Sequence, residues 1–151
     1  MMVGSLGIPV WPIFGYTCYE IIAKLNDEAR ARIGLDTTIW HNHGFMQLST
    51  QDQASIRACV VSYDSWNIGN SSESERDFGV VFQHSDGTWT SYAPDGEGWL
   101  NVVFWEISYH DLTLSRPGMT PWDTATTARI LMLMLASEYD EPANAEVYCL
   151  V

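Results

Sequence analysis

Apolar and polar positions recur with two different periods along this chain, and the changes of period mark its elements. Ile21, Ile22, Leu25, Ala29 and Ile33 fall near a 3.6-residue repeat, with Lys24, Asp27, Glu28 and Arg32 on the other side. That pattern predicts an amphipathic helix over residues 18–33. Thr17 is placed to cap it, Glu20 completes a capping box, and Gly34 is a natural stop. Two short β-prone runs follow, 37–41 and 45–48, divided by a tight turn at Asn42, His43 and Gly44. Ser49 or Thr50, with Gln53, opens a second helix whose apolar residues are Ala54, Ile56, Ala58, Cys59, Val60 and Tyr63. Residues 64–75, rich in Ser, Asn, Gly and acids, read as a loop.

The second half reads mostly as strands. Residues 77–83 form one, 84–87 a turn and 88–92 a returning partner; 95–98 is a further turn. Residues 100–109 are apolar on both faces, which suggests a central strand. A loop with Pro117 and Gly118 covers 111–121. Asp123 then caps a predicted long helix over 125–139, whose Ile130–Leu135 run is apolar all round and implies burial on more than one side. The tail starts acidic and ends in an apolar run that suits an edge strand. Helix, strands, helix, strands, helix is an α+β order. The expected fold is an antiparallel sheet of about four to six strands, with helices mainly on one face.

Residues 1–17 stand apart from that domain, which spans 18–151. They are apolar and invite a signal-peptide reading. No basic residue precedes Lys24, however, and Pro9 and Pro12 interrupt any helical core. No run of eighteen apolar residues is present, so no transmembrane helix is expected. The stretch reads as an extended arm that packs on its own domain or on a partner. A homodimer built through it is the corresponding oligomeric reading.

Composition narrows the function classes. The 151 residues are 46% hydrophobic and 17% charged, as in a globular domain. Nineteen acids against seven bases give a formal charge of -12. Such a balance disfavours direct nucleic-acid binding and docking on an anionic membrane, both of which need Lys and Arg. Residues 1–75 hold eight acids and four bases, and 76–151 hold eleven and three. The negative excess therefore lies mainly in the second half. Cys18, Cys59 and Cys149 are odd in number and widely spaced, which points to reduced thiols and a cytoplasmic protein.

Glu75-Arg76-Asp77-Phe78-Gly79, the stretch from Phe104 to Asp111, and the stretch from Arg129 to Tyr139 occur in an order that, with Leu25-Asn26-Asp27, resembles the proteobacterial domain-of-unknown-function family 3768. The resemblance spans about residues 21–139. It implies one compact domain of bacterial or mobile-element origin and carries no activity. This chain has Arg76 where the family has His, Glu106 for Lys, Ser108 for Asp and His110 for Tyr.

Candidate chemistry is sparse. Gly-x-Ser-x-Gly, P-loop and His-Glu-x-x-His motifs are all missing from the sequence. Asp77, Asp111 and His110 are the candidates for a metal or acid–base site, with Glu75 and Glu106 beside them. They are weighed against ordinary turn and cap roles for Asp. His41 and His43 flank a turn that spoils strand-like ligand geometry. No cofactor is implied. The leading expectation is a non-enzymatic acidic protein that inhibits a nucleic-acid-handling complex through its basic surface, of the anti-CRISPR or anti-restriction type. Its contact residues would be Asp95, Glu97, Glu106 and Asp111, with Trp89 and Trp99 as apolar anchors. A small metal-dependent hydrolase and a homo-oligomeric interaction domain are the alternatives.

Overall fold

The computed structural model describes residues 18–66, 75–93, 98–138 and, as backbone, 148–150. In chain order these form α1 (Cys18–Ala31), β1 (Thr38–His41), α2 (His43–Met46), α3 (Thr50–Val61), β2 (Phe78–His84), β3 (Trp89–Thr90), β4 (Trp99–His110), β5 (Ala128–Leu135) and β6 (Tyr148–Leu150). One six-stranded sheet has the order β3-β2-β4-β5-β1-β6. The fold is α+β, as the sequence pattern implies.

The sheet is mixed rather than purely antiparallel. β1 and β5 run parallel, with Ile39 opposite Leu131 and His41 opposite Leu133, while every other neighbouring pair is antiparallel. A parallel pair needs a long crossover, and here α2, α3 and the β2–β4 meander supply it. Strand pairing between segments ninety residues apart leaves no local trace.

β5 corrects the predicted helix over 125–139. An all-apolar run suits a strand buried on both faces as well as a buried helix. Between β4 and β1, Leu131 and Leu133 enter the core from one face while Ile130, Met132 and Met134 line the other. Residues 45–48 are corrected the other way. Asn42 caps α2 by accepting the Phe45 N–H at 3.0 Å, so the run after it coils instead of pairing. The edge strand at the C-terminus forms as β6 on β1. Thr17, the arm over 1–17 and most of the loop over 64–75 lie outside the described residues.

Strand alternation divides the sheet into two faces. Odd-numbered residues of β1, β2 and β5, and of β4 from Val103 onward, point to the side on which the helices pack. Ile39, Val81, Val103, Trp105, Ile107, Leu131 and Leu133 there form one core with Phe45, Ile56, Val60 and Tyr63. Gly79 belongs to this face because Trp105 and Tyr63 occupy the space of a side chain. A Cβ there would lie 2.6 Å from Tyr63 Cζ. Even-numbered residues form the second face, which no described helix crosses. Among the described residues, no helix is long and apolar enough to cross a membrane.

Candidate functional site

On the helix-covered face, one side chain gathers segments from across the chain. Asn26 lies mid-way along α1 on its buried stripe, with Ile22, Ala23 and Arg30, and is fully shielded from solvent. Its amide donates to the Glu75 carbonyl and to the Tyr109 hydroxyl, both at 2.8 Å. Its carbonyl oxygen accepts from Arg129 Nε at 2.7 Å. The Tyr109 hydroxyl donates in turn to an Asp77 carboxyl oxygen at 3.2 Å, and Arg129 lies over the Tyr109 ring, 5.2 Å from its centroid. α1, the entry to β2, the end of β4 and the start of β5 thus meet at Asn26. Every polar atom of that amide group is in use, as a buried amide requires.

A second contact set flanks it. Asp27 takes an ion pair from Arg30 and another from Arg76, the latter at 2.6 Å. The Arg30 guanidinium is buried over the Trp66 ring, 4.9 Å from its centroid, and 5.6 Å from that of Trp105. Burial lowers its pKa, and the Asp27 carboxylate opposes that shift.

The acids here titrate above their ordinary range. Burial raises the pKa of Asp77 above the ordinary carboxylate range. Burial, then the Asp77 charge, does the same for Glu75, which hydrogen-bonds to Asp77. Glu106 is raised by burial and by Asp77, and the Tyr109 phenol is raised above its usual range chiefly by burial. Like charges this close share protons rather than both ionising.

The metal candidates do not converge. Asp77 faces the helices with Tyr109, whereas His110 points to the second face. There His110 Nε2 meets Ser108 Oγ at 2.8 Å, and its ring lies 5.6 Å from that of Trp40. Asp111 is spent on its own loop, accepting from the Ser115 N–H at 3.0 Å and the Thr113 hydroxyl at 2.9 Å. Those donors, the Ser115 N–H foremost, lower its pKa. Among the described residues, no three His, Cys, Asp or Glu side chains form a group able to hold a metal ion. His41 is also structural. Arg57 can only donate, so the 3.4 Å contact makes His41 Nε2 an acceptor, and Nδ1 faces Met46 Sδ at 3.1 Å. Burial, then the Arg57 charge, lowers its pKa to about 4.

The expected contact residues separate along β4. Trp99 opens this strand and Asp111 follows its last residue, so the two stand about 40 Å apart at roughly 3.3 Å per residue. Glu106 sits half-buried on the second face, opposite Phe78 and Met132. Trp89 is half-buried against the core and donates its indole N–H to Asp52 at 3.0 Å. Asp95 and Glu97 lie outside the described residues. Their neighbours are exposed: Tyr92 is 58%, Trp99 45% and Leu100 59% accessible. Between Phe82 and His84 the pairing of β2 with β4 slips, so that Trp99 rather than Leu100 stands opposite His84. A bulge of this kind re-aims a side chain. It carries Trp99 onto the second face, 5.5 Å from the Phe82 ring.

Sequence reasoning missed Asn26 as a junction. Its signal is a polar residue at Ile22+4 on the apolar stripe of an amphipathic helix. It also missed the bulge, which depends on the register of two distant strands.

The stretches that meet around Asn26 are those that also carry a family signature. Residues 41–138 match the model of a family described as protein of unknown function (DUF3768). The chain belongs to this family. Glu75, Asp77, Trp105, Tyr109 and Arg129 fall within the matched DUF3768 span, whereas Asn26 and Asp27 precede it. No curated protein and no solved structure matches the chain.

Proposed function

We propose that this DUF3768 protein is a binding protein whose docking surface lies at the start of β4. The observation that carries the reading is the bulge that turns Trp99 onto the second face, with exposed Leu100 next to it in the chain; Asp95 and Glu97 precede it in the sequence. Aromatic anchors ringed by charge are the usual core of a protein-binding surface.

The partner we infer is basic. The chain carries -12 overall. A surplus of this size steers association with a positively charged surface. A nucleic-acid-handling complex has such a surface, so inhibition of the anti-CRISPR or anti-restriction type is the specific form proposed, in a cytoplasmic setting.

The spread of the acids along β4 sets the test. Asp95→Asn with Glu97→Gln should weaken retention of a basic nucleoprotein complex and flatten its salt dependence, while Asp111→Asn leaves both unchanged. Equal effects of the two variants would defeat the assignment of this surface.

A further inference from the structure

The second face of the sheet is largely apolar over four strands, with the half-buried Glu106 between Phe78 and Met132 and the polar Ser108 and His110 at its end. Phe78, Val80 and Phe82 of β2 lie beside Val102 and Phe104 of β4, then Met132 and Met134 of β5, then Trp40 of β1. The Phe78 and Phe104 rings stack 5.9 Å apart. No described helix crosses this face, yet Ile130 is fully buried on it and the Trp40 indole N–H is shut off from solvent without a hydrogen-bond partner. A sheet this apolar on both sides is a buried sheet, and its second side needs a cover.

Residues 1–17 have the composition for that cover. They include Val3, Leu6, Ile8, Val10, Trp11, Ile13 and Phe14 and contain no Asp, Glu, Lys or Arg. They can thus lie on hydrocarbon without burying a charged side chain. Pro9 and Pro12 oppose helix formation and favour an extended course. Extended, seventeen residues reach about 56 Å. The apolar width from β2 to β1 is about 14 Å at ~4.8 Å per strand step. That reach suffices to pass a sheet edge from the start of α1 and still cross the face.

We propose that the arm formed by residues 1–17 folds back as a strap over the second face of its own sheet, seating Trp11 and Phe14 among Phe78, Phe104, Met132 and Trp40. This goes beyond the partner-binding reading and does not rest on it, since the strap lies within one chain and needs no partner.

The test uses the full chain with a benzophenone amino acid at position 11 and, separately, at position 10. Irradiation is done alone and in an equal mixture with isotope-labelled protein, and the sites are mapped by tandem mass spectrometry. Cross-links within one chain to even-numbered residues of 78–82, 102–106 or 130–134 are expected. Cross-links to the helices or to odd-numbered strand residues, labelled-to-unlabelled pairs, or no cross-link from either position would overturn the strap. Trp11→Ser with Phe14→Ser should also raise the emission of an apolar-surface dye several-fold, and an unchanged signal from folded protein would count against it.

Discussion

Asn26 and Tyr109, 83 residues apart in the chain, are joined by a 2.8 Å hydrogen bond from the Asn26 amide to the Tyr109 phenol oxygen. The same amide nitrogen also holds the Glu75 carbonyl, and its oxygen holds Arg129. Replacing it by Ala strands the Arg129 donor and the Glu75 carbonyl in a buried setting. Asn26→Ala should therefore lose about 3 kcal/mol of stability. Urea unfolding checks this, and a loss under about 1 kcal/mol would show that the network is incidental to the fold.

Gly79 gives a prediction of opposite kind, too much volume rather than too little bonding. Its Cα lies against Trp105 and Tyr63, whose rings meet edge-on with centroids 5.1 Å apart. Gly79→Ala must push one of these buried rings aside, at a cost of about 2 kcal/mol. A melting temperature equal to wild type would mean that the rings give way freely.

His41 should make stability depend on pH. It titrates near 4 in the folded protein, because burial and Arg57 oppose its charge, and near 6.5 in the unfolded chain. Below pH 6.5 the unfolded state takes up a proton that the folded state refuses, so stability falls until about pH 4. The full loss is about 3 kcal/mol, at ~1.4 kcal/mol per unit. Glu75, Asp77 and Glu106 act in the opposite direction, since their raised pKa values favour the folded state as pH falls. His41→Gln removes only the imidazole contribution. The difference in unfolding free energy between wild type and this variant should shrink by about 3 kcal/mol from pH 7 to pH 4. A constant difference would contradict a neutral buried imidazole.

Asp111 organises the loop after β4 and should matter only locally. It holds Ser115 and Thr113 while Leu114 adopts a left-handed φ of 59°, a conformation that costs a branched residue energy. Asp111→Ala should speed amide exchange of residues 113–116 while leaving global stability nearly unchanged. Unchanged exchange there would show that the backbone bonds alone hold the loop.

Much of this architecture is legible in the sequence where local chemistry decides. α1 and α3 follow from their spacing, and β2 and β4 from their alternation and flanking turns. The Val-Tyr-Cys-Leu-Val tail reads correctly as an edge strand. Two elements are misread because their decisive partners are distant. Ile130–Leu135 looks alike as a buried helix or a doubly buried strand until β4 and β1 flank it. Phe45 looks β-prone until Asn42 is seen capping its N–H. The acids near β4 group together in the sequence because they are close in the chain. An extended strand pulls such residues apart, leaving Asp111 at the far end and Glu106 on the second face. Asn26 was visible only as part of a family-like tripeptide, because its three partners come from three other elements.

The binding surface is tested most directly by Trp99, which the bulge in β4 carries onto the second face. Wild type and Trp99→Ser with Leu100→Ser are compared for retention of nucleic-acid-guided and restriction complexes from bacterial lysate, with melting temperatures measured alongside. Retention of a basic nucleoprotein complex by the wild type, lost in the variant at unchanged melting temperature, is the result predicted. Equal retention by both, or none by the wild type, would contradict it.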